Sequence, residues 1–412
     1  MKSPENPIAP VIQPLLPEAP PSEDVAERAD RRESLFFGQD AHETRDLYWV
    51  LVGSGGLRLG WSVLLFAALY RFFALLLGTT AFVFDPALAN FDSSPSMALI
   101  GELIPLLAML AAVALVARMG HRKIIDYNLT GPRRVPYFLH GLAAGFAALS
   151  ALVAALAWGG WLHFGPVALS GPRIFGFAAL WGVVFLLVGL FEEGTFRCYL
   201  QFTLTRGIHF WWALAVIAVL CLDLLLRSRG NMGLVAFLWL SSMPAIKGNG
   251  AWGVYLAALL GLVPCLWLHL KKAPGSGFWQ AAWVTSTLFG FIHTTNNGEN
   301  WIGIFAAAAI GFVFCVSIWV TGSAWWAIGC HASWDWAESY FYGTADSGLV
   351  AKGHYLTTTP AGNALWSGGT DGPEGSLLVL AVILALLVAL VLIYGRKKPT
   401  AVGPELMDQA AG

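Results

Sequence analysis

The sequence predicts an all-α, polytopic membrane protein, and three observations support that prediction. First, 57% of the 412 residues are hydrophobic and only 12% are charged, whereas soluble domains carry about 25% charged residues. Second, the mean hydropathy is +0.64. Third, apolar runs of about 20 residues recur along the chain, and a helix of that length crosses the hydrocarbon core. Lipid offers the backbone no hydrogen-bond partners, so we expect these runs to be helices.

The two ends of the chain differ in composition from the rest. Prolines recur from Pro4 to Pro21, and a mixed-charge stretch follows from Glu23 to Glu33. No apolar segment of the signal-peptide type precedes the prolines. We expect residues 1–46 to be a disordered, Pro-rich cytoplasmic tail that acts as a spacer. Residues 396–412 are expected to form a short cytoplasmic tail.

The transmembrane domain is expected to cover residues 47–395, with about ten helices. The predicted helices are Gly60–Leu77, Met97–Val116, Tyr137–Trp158, Ile174–Gln201, Phe210–Leu226, Trp252–Leu270, Phe278–His293, Trp301–Val320, Ala324–Tyr342 and Leu377–Tyr394. Pro105 and Pro264 lie inside predicted spans, where neighbouring helices can satisfy the backbone groups that a proline leaves unpaired.

The distribution of lysine and arginine predicts the orientation of the chain. The connection Thr79–Ser96 contains neither residue type, whereas the next connection is rich in them. Its basic residues are Arg118, Arg122, Lys123, Arg133 and Arg134. The positive-inside rule then places both termini in the cytoplasm, with an even number of crossings. Arg227 and Arg229 do not fit this pattern.

Two classes of site are excluded by composition. The formal net charge is −1 and no basic cluster stands out, so nucleic acid is not an expected partner. The five cysteines, an odd number without C-x-x-C spacing, favour neither a disulfide framework nor a zinc knuckle. They are Cys198, Cys221, Cys265, Cys315 and Cys330, and we expect them to pack as small apolar residues.

Ionisable residues inside the apolar helices are the strongest functional signal. They are Glu192, Glu193, Arg197, His293, His331, Asp335 and Glu338. Charged and imidazole groups are costly in hydrocarbon, so such residues mark a functional site by default. The alternative is a network of buried ion pairs that only holds helices together.

The pair Glu192–Glu193 is expected to have divided roles. Glu193 and Arg197 are separated by four residues on one helix, so their side chains can meet. Glu192 is rotated by about 100° from Glu193 and can point elsewhere. A carboxylate placed in this way can serve as a general base.

Two further helices carry histidines at helical spacing. Phe289 and His293 are four residues apart on one face. His331, Asp335 and Glu338 form one stripe on another helix. Carboxylate–histidine pairs fix the imidazole tautomer, for metal ligation or for hydrogen bonding.

These motifs, read in order as FEEGTFR, FGFIH and HASWD, resemble those of the CAAX-protease and bacteriocin-processing (CPBP, Abi-type) family of intramembrane endopeptidases. That family carries E-E-x-x-x-R, F-x-x-x-H and H-x-x-x-N/D on successive transmembrane helices. The resemblance covers residues 137–342 and implies an eight-helix core. It also implies a multi-pass protein of the bacterial plasma membrane.

The resemblance implies hydrolysis of a peptide bond near the cytoplasmic side of the membrane. The substrate would be a membrane-embedded or lipid-anchored peptide or protein, met in contact with membrane lipid. Glu192 and His293 would activate the attacking water, and His331 and Asp335 would steady the oxyanion or complete the site. Glu193 and Arg197, with Phe289 and Glu338, would support them.

Metal dependence stays open in this reading. A site that uses the glutamate as a general base needs no cofactor, whereas the same donor set could instead bind zinc; its members are Glu192, His293, His331 and Asp335. At position 335 an asparagine could donate to an oxyanion, whereas an ionised aspartate would repel it. Asp335 is therefore protonated, orients His331 or binds a cation, and we favour the orienting role.

One departure from the family pattern is an insertion at residues 210–272, between the helices of Glu192 and His293. Two inserted crossings would keep both residues on a common side, whereas one or three would separate them. Met232–Ile246 is short and interrupted by Ser241, Ser242 and Pro244, so we expect a re-entrant or interfacial segment there.

Two other functions remain possible on these motifs. One is a catalytically idle scaffold or immunity-type membrane protein that keeps the ion pairs as structural contacts. The other is a proton-coupled transporter, because acidic residues and histidines within spans also form proton relays. Transporters often contain inverted repeats, and no internal repeat is evident in the sequence.

Overall fold

The computed structural model describes residues 52–53, 56–89, 93–228, 250–273, 275–296 and 298–395. The chain divides into two units, Met1–Ser54 and Gly55–Gly412. The short strand β1 (Val52–Gly53) is the described part of the first unit. The predicted tails at 1–46 and 396–412, and the segment Met232–Ile246, lie outside the described residues.

The second unit is built almost entirely of helices, which confirms the all-α prediction. The long helices are α1 (Leu59–Phe84), α2 (Pro95–Met119), α3 (Arg134–Trp158), α4 (Arg173–Thr205), α5 (Phe210–Ser228), α6 (Gly250–Lys271), α7 (Ser276–His293), α8 (Trp301–Thr321), α9 (Trp325–Asp335) and α10 (Leu377–Tyr394). Each overlaps one of the predicted helices. Two segments are π-helical: Gly194–Leu200 inside α4, and Trp336–Tyr342, which continues α9.

The remaining elements are short and lie in the connections. They are the 3₁₀ turns Pro86–Ala89, Ile124–Asp126 and Pro373–Gly375, the helical turn Ala364–Ser367, and the strands β2 (Gly56–Leu57), β3 (Leu162–Phe164), β4 (Ala345–Asp346), β5 (Leu349–Val350) and β6 (Thr358–Pro360). β3 pairs antiparallel with β6, and β4 pairs antiparallel with β5.

Among the described residues, six helices are long and apolar enough to cross a membrane: α1, α2, α3, α4, α8 and α10. The chain is therefore an integral membrane protein. Helix α7 is not among them, because it is less apolar; it buries the polar residues Gln280, Thr285 and Ser286. Polar faces of this kind are tolerated in a membrane when they point into the helix bundle.

Glycines bring α9 into close contact with its neighbours. A Cβ at Gly145 of α3 would collide with the carbonyl of Cys330, and one at Gly329 of α9 would collide with the carbonyl of Phe138. Gly189 of α4 likewise faces the backbone of α9 at Ile328. Small residues allow helix backbones to approach closely within a membrane. This packing places the histidine of α9 beside the acidic pair of α4.

The inserted helices α5 and α6 pack beside α7. Ala213 of α5, Cys265 of α6 and Val284 of α7 belong to one buried apolar cluster. The rings of Phe210 and His269 stack with their centroids 5.7 Å apart. The insertion therefore flanks α7 and does not come between it and α4, whose buried residues still contact α7.

The connections gather at two opposite ends of the bundle. We call one the basic end; among the described residues it contains 120–133, 206–209, 272–273, 275 and 322–324. There the amide of Ala324 donates to the carbonyl of Asn128 at 2.8 Å. We call the other the cap end; among the described residues it contains 85–89, 93–94, 159–172, 294–296, 298–300 and 343–376. There the amide of Lys352 donates to the carbonyl of Ser93 at 2.9 Å, and that of Gly165 donates to Thr357 at 2.8 Å.

Candidate active site

A cavity of about 420 Å³ lies within the bundle, towards the cap end. Its lining contains all four residues predicted to do the chemistry: Glu192, His293, His331 and Asp335. The four residues therefore lie around one cavity, and the roles predicted for them stay predictions. They come from α4, α7 and α9, so residues more than a hundred positions apart share one space in spite of the insertion.

The acidic pair lies where α4 changes its winding. Glu193 is the last residue before the π-helical segment Gly194–Leu200, and such π segments are frequent at functional sites. The side chain of Asn128 donates to the carbonyl of Arg197 inside this segment, at 2.7 Å. Asn128 belongs to the connection between α2 and α3, so that connection anchors the segment from outside α4.

Glu193 and Arg197 form the predicted contact. Glu193 Oε2 lies 3.2 Å from Arg197 Nε, and both side chains are fully buried. The two Nη atoms of Arg197 have no hydrogen-bond partner in the structure. Instead, the guanidinium carbon lies 4.2 Å from the ring centroid of Phe289 and 5.5 Å from that of Phe314. A cation over aromatic faces is stabilised by the ring quadrupole, and more so when both groups are desolvated.

This contact gives the phenylalanine of the FGFIH motif a role that the sequence did not reveal. Phe289 is fully buried and packs its face against Arg197. It therefore links α7 to the ion pair of α4. The sequence predicted Phe289 only as support, on the same helical face as His293.

His331 lies between three carboxylates. Its Nδ1 is 2.8 Å from Glu193 Oε1, and its Nε2 is 3.4 Å from Asp335 Oδ2 and 3.7 Å from Glu192 Oε2. The closest contact, and the one with hydrogen-bond geometry, is to Glu193. The expectation that Asp335 orients His331 is thus only partly met, because Glu193 makes the orienting bond. Since both ring nitrogens face carboxylate oxygens, the arrangement favours an imidazolium that donates on both sides.

His293 is oriented by its own helix. Its Nδ1 lies 2.8 Å from the carbonyl oxygen of Phe289, four residues earlier. A carbonyl only accepts, so this contact requires the proton on Nδ1 and leaves Nε2 as the acceptor nitrogen. His293 therefore presents a basic nitrogen to the cavity.

Comparison with known families agrees with this geometry. Residues 265–337 match the family model described as type II CAAX prenyl endopeptidase Rce1-like. Residues 265–337 are therefore similar to an Rce1-like domain. The match confirms the resemblance to the CAAX-protease family that the motifs predicted, and it contains His293, His331 and Asp335. Glu192, Glu193 and Arg197 lie before it. No curated protein and no solved structure matches the chain.

The cavity also contains carboxylates that the sequence analysis missed. They are Glu102 of α2, Asp346 of β4 and Glu374 of the last 3₁₀ turn. Glu102 was detectable, because it is an ionisable residue inside the apolar run predicted as Met97–Val116. Asp346 and Glu374 follow polar, glycine-rich connections, where an acidic residue is ordinary and gives no signal.

Three of the carboxylates form a compact trio. Ligand oxygens of Glu338, Asp346 and Glu374 lie within 4.8 Å of one another, the one such group in the described part of the chain. The indole Nε1 of Trp334 donates to Glu374 Oε1 at 2.7 Å and to Glu338 Oε2 at 3.1 Å. Ser339 Oγ donates to Asp346 Oδ2 at 2.9 Å. Glu338, predicted as a supporting residue, belongs to this trio.

Oxygen-only ligands suit hard cations such as calcium or magnesium, so the trio is a candidate cation site. In the connection between α9 and α10, burial raises the pKa of Asp346 to about 6 and raises that of Glu374 well above its usual range. Protonation is thus a second way in which the trio avoids like-charge repulsion.

The predicted zinc site is not compact in this structure. No three of the donors Glu192, His293, His331 and Asp335 lie within 4.8 Å of one another. Tetrahedral zinc, with bonds of about 2.0–2.1 Å, holds its nitrogen and oxygen ligands about 3.4 Å apart. The pair His331–Asp335 meets that spacing, at 3.4 Å, but the set does not.

Proposed function

We propose that this protein is an intramembrane endopeptidase that hydrolyses a peptide bond of a membrane-associated protein or peptide, with Glu192 as the general base. One observation carries the proposal. Glu192 Oε2 is buried in the cavity without a hydrogen-bond partner, whereas the neighbouring Glu193 is engaged by Arg197 and His331. A buried acceptor without a hydrogen bond, 3.7 Å from Nε2 of His331 and in the same cavity as His293, is available to take a proton from water.

The attack on the scissile carbonyl follows from these positions. Glu192 accepts a proton from a water molecule, and the acceptor nitrogen of His293 holds the water from its other side. The oxygen then bonds to the carbonyl carbon, and the carbonyl oxygen becomes an oxyanion. Positioned acid–base groups of this kind contribute about 10²–10⁴-fold to rate.

The oxyanion is stabilised by His331. As an imidazolium, its Nε2–H faces the cavity beside Glu192 and Asp335 and can donate to the developing charge. Glu193 keeps the ring in place through Nδ1. When the carbon–nitrogen bond breaks, Glu192 returns its proton to the leaving amine. The products are a carboxylic acid and an amine.

The experiment is cleavage of candidate lipid-anchored peptides by the purified protein and by its Glu192→Gln variant. Glutamine preserves the shape of the side chain but cannot accept the proton. We expect cleavage by the wild type and at least a 10²-fold slower reaction by the variant. Equal rates for the two proteins, or no cleavage by either across the peptide set, would contradict the proposal.

Asp126→Asn is the matched control. It makes the same carboxylate-to-amide change at the basic end, and asparagine can still accept the bond that the Lys123 amide gives to Asp126 at 2.8 Å. We expect this variant to keep wild-type activity. A parallel reaction with a chelator, followed by metal analysis of the purified protein, tests the predicted zinc site separately.

A further inference from the structure

The two ends of the bundle differ sharply in charge. Lysine and arginine concentrate at the basic end, in the connections and the adjoining helix ends: Arg58, Arg118, Arg122, Lys123, Arg133, Arg134, Arg206, Lys271 and Lys272. At the cap end, the described residues of these types are Arg173, Arg227 and Lys352; Arg229 and Lys247 lie outside the described residues.

The basic residues share one face because their connections touch. The guanidinium of Arg122 lies 5.3 Å from the ring centroid of Phe202, and that of Arg206 lies 6.0 Å from the same ring. A Cβ at Gly207 would lie 3.7 Å from Leu59, next to Arg58 at the start of α1. Contacts thus join the start of α1, the connection after α2 and the end of α4.

The cavity lies towards the opposite end. Its lining comes mainly from the first halves of α2, α4, α8 and α10 and from the last turns of α7 and α9, with Glu192 of α4 and Phe314 of α8 just past the middle of their helices. All of these segments point towards the cap end. Ser93, Asn296, Gly348 and Glu374, which belong to the cap-end connections, also line the cavity.

Connections of the cap end are joined over the cavity. The amide of Asn300 donates to Asp371 Oδ2 at 3.0 Å, and that of Gly348 donates to the carbonyl of Asp371 at 3.1 Å. The amide of Lys352 reaches Ser93 at 2.9 Å. Solvent or substrate that reaches the cavity through the connections therefore arrives from the cap side.

Lysine and arginine in short connections mark the cytoplasmic face of a membrane protein. We infer that the active-site cavity opens towards the non-cytoplasmic face, and that the substrate is a membrane-associated segment exposed on that face. The nature of the substrate rests on the proposed function; the orientation does not. The sequence analysis predicted hydrolysis near the cytoplasmic side and also cytoplasmic termini. In this fold the two predictions exclude each other, because cytoplasmic termini place the cavity on the non-cytoplasmic side.

Labelling of an introduced cysteine tests the orientation. Ser170→Cys introduces a thiol into the exposed cap-end connection after β3, and Lys123→Cys introduces one into the exposed basic-end connection after α2. Each variant is expressed in intact cells and treated with a membrane-impermeant maleimide, before and after permeabilisation. Wild type sets the background, because the native cysteines are buried, apart from the partly exposed Cys221.

We expect Ser170→Cys to react fully in intact cells and Lys123→Cys to react only after permeabilisation. The opposite pattern, or labelling of both thiols in intact cells, would overturn the inference. Neither readout requires activity, so a failure here is distinguishable from a failure of the proposed function.

A second arm concerns the substrate. The anchored peptide that the purified protein cleaves is added to intact cells or to inverted membrane vesicles, with Glu192→Gln as the inactive reference. Cleavage from the outer face alone supports the inference, and cleavage in inverted vesicles alone overturns it. If Ser170→Cys is labelled from outside but the peptide is cleaved in neither preparation, the inferred orientation is supported. The inferred substrate and the proposed function are then both contradicted.

Discussion

Glu193 lies 2.8 Å from Nδ1 of His331, and this contact joins α4 to α9 across the active site. The other oxygen of Glu193 is 3.2 Å from Nε of Arg197. The second glutamate of the FEEGTFR motif is therefore more than a partner for the arginine. It contacts both Arg197, whose guanidinium lies over the ring of Phe289, and His331, which faces the cavity. The position of His331 therefore depends on that of Arg197.

The first prediction is that Glu193→Gln, which also removes the carboxylate partner of the buried Arg197, lowers the kcat of the protein that still folds chiefly through His331. Glutamine can still accept a bond from Nδ1, but it no longer supplies a charge that favours the imidazolium. We expect kcat to fall by about 10–10²-fold, with the larger loss at higher pH, where a His331 that has lost this support is neutral. A pH profile of kcat with the same shape as that of the wild type would rule out this role.

The second prediction distinguishes the catalytic role of Glu192 from the structural role of the Glu193–Arg197 pair. Arg197→Ala leaves the fully buried carboxylate of Glu193 without its cation. Removing one partner of a buried pair typically costs about 3–5 kcal/mol. We therefore expect low membrane yield and a lower Tm in detergent, whereas Glu192→Gln should keep the Tm of the wild type.

Arg197→Lys refines this test. Lysine restores the charge but not the planar group that stacks on Phe289, so its Tm should lie between those of Arg197→Ala and the wild type. A stable, folded Arg197→Ala protein that lacks activity would show instead that the arginine acts in catalysis.

Helix positions and the convergence of the motifs were predictable from the sequence, for a physical reason. Ten apolar runs predicted ten helices, because lipid offers no hydrogen-bond partners and the backbone groups must then pair within a helix. Glu192, His293 and His331 could be assigned to one site, because each is costly inside an apolar helix unless it has a function. The contact between Glu193 and Arg197 followed from helical spacing alone.

Contacts between helices were not predictable in the same way. Spacing along α9 suggested that Asp335 orients His331, but the closest carboxylate comes from α4. That approach depends on glycines such as Gly189 and Gly329, which allow the backbones to touch. Asp346 and Glu374 reach the cavity from connections without periodicity, so no pattern in the sequence placed them there.

The third prediction concerns Asp335, whose Oδ2 lies 3.4 Å from Nε2 of His331. Asparagine has the same shape and can donate to an oxyanion, so we expect Asp335→Asn to stay within about 10-fold of wild-type kcat. Alanine offers neither group, and loss of an oxyanion-stabilising contact typically costs about 10²–10³-fold. Peptide cleavage by the two variants, compared at one pH, is the measurement. An asparagine variant as slow as the alanine variant would mean that the carboxylate charge itself is required.

The fourth prediction uses Asp371, in the connection between α9 and α10. Its side chain is fully buried. Oδ2 accepts the amide of Asn300 at 3.0 Å, and Oδ1 has no partner in the structure. Burial raises the pKa of this carboxyl to about 8, and the nearby Glu299 adds to the effect. The folded protein therefore holds a proton that the unfolded chain releases at much lower pH.

The sign of the pH dependence follows from this difference. A group whose pKa is raised in the folded state stabilises the fold below its unfolded pKa, and that stability is lost as pH rises through the folded pKa. We expect the Tm in detergent to fall as pH increases from about 6 to about 9, on the basis of the Asp371 pKa of about 8.

Asp371→Asn keeps an acceptor for the amide of Asn300 but carries no charge, so its Tm should fall less over the same range. Asp346, with a pKa raised to about 6, remains in the variant and accounts for a smaller decline at the acidic end. A variant whose Tm declines as steeply as that of the wild type between pH 7 and pH 9 would exclude Asp371 as the titrating group.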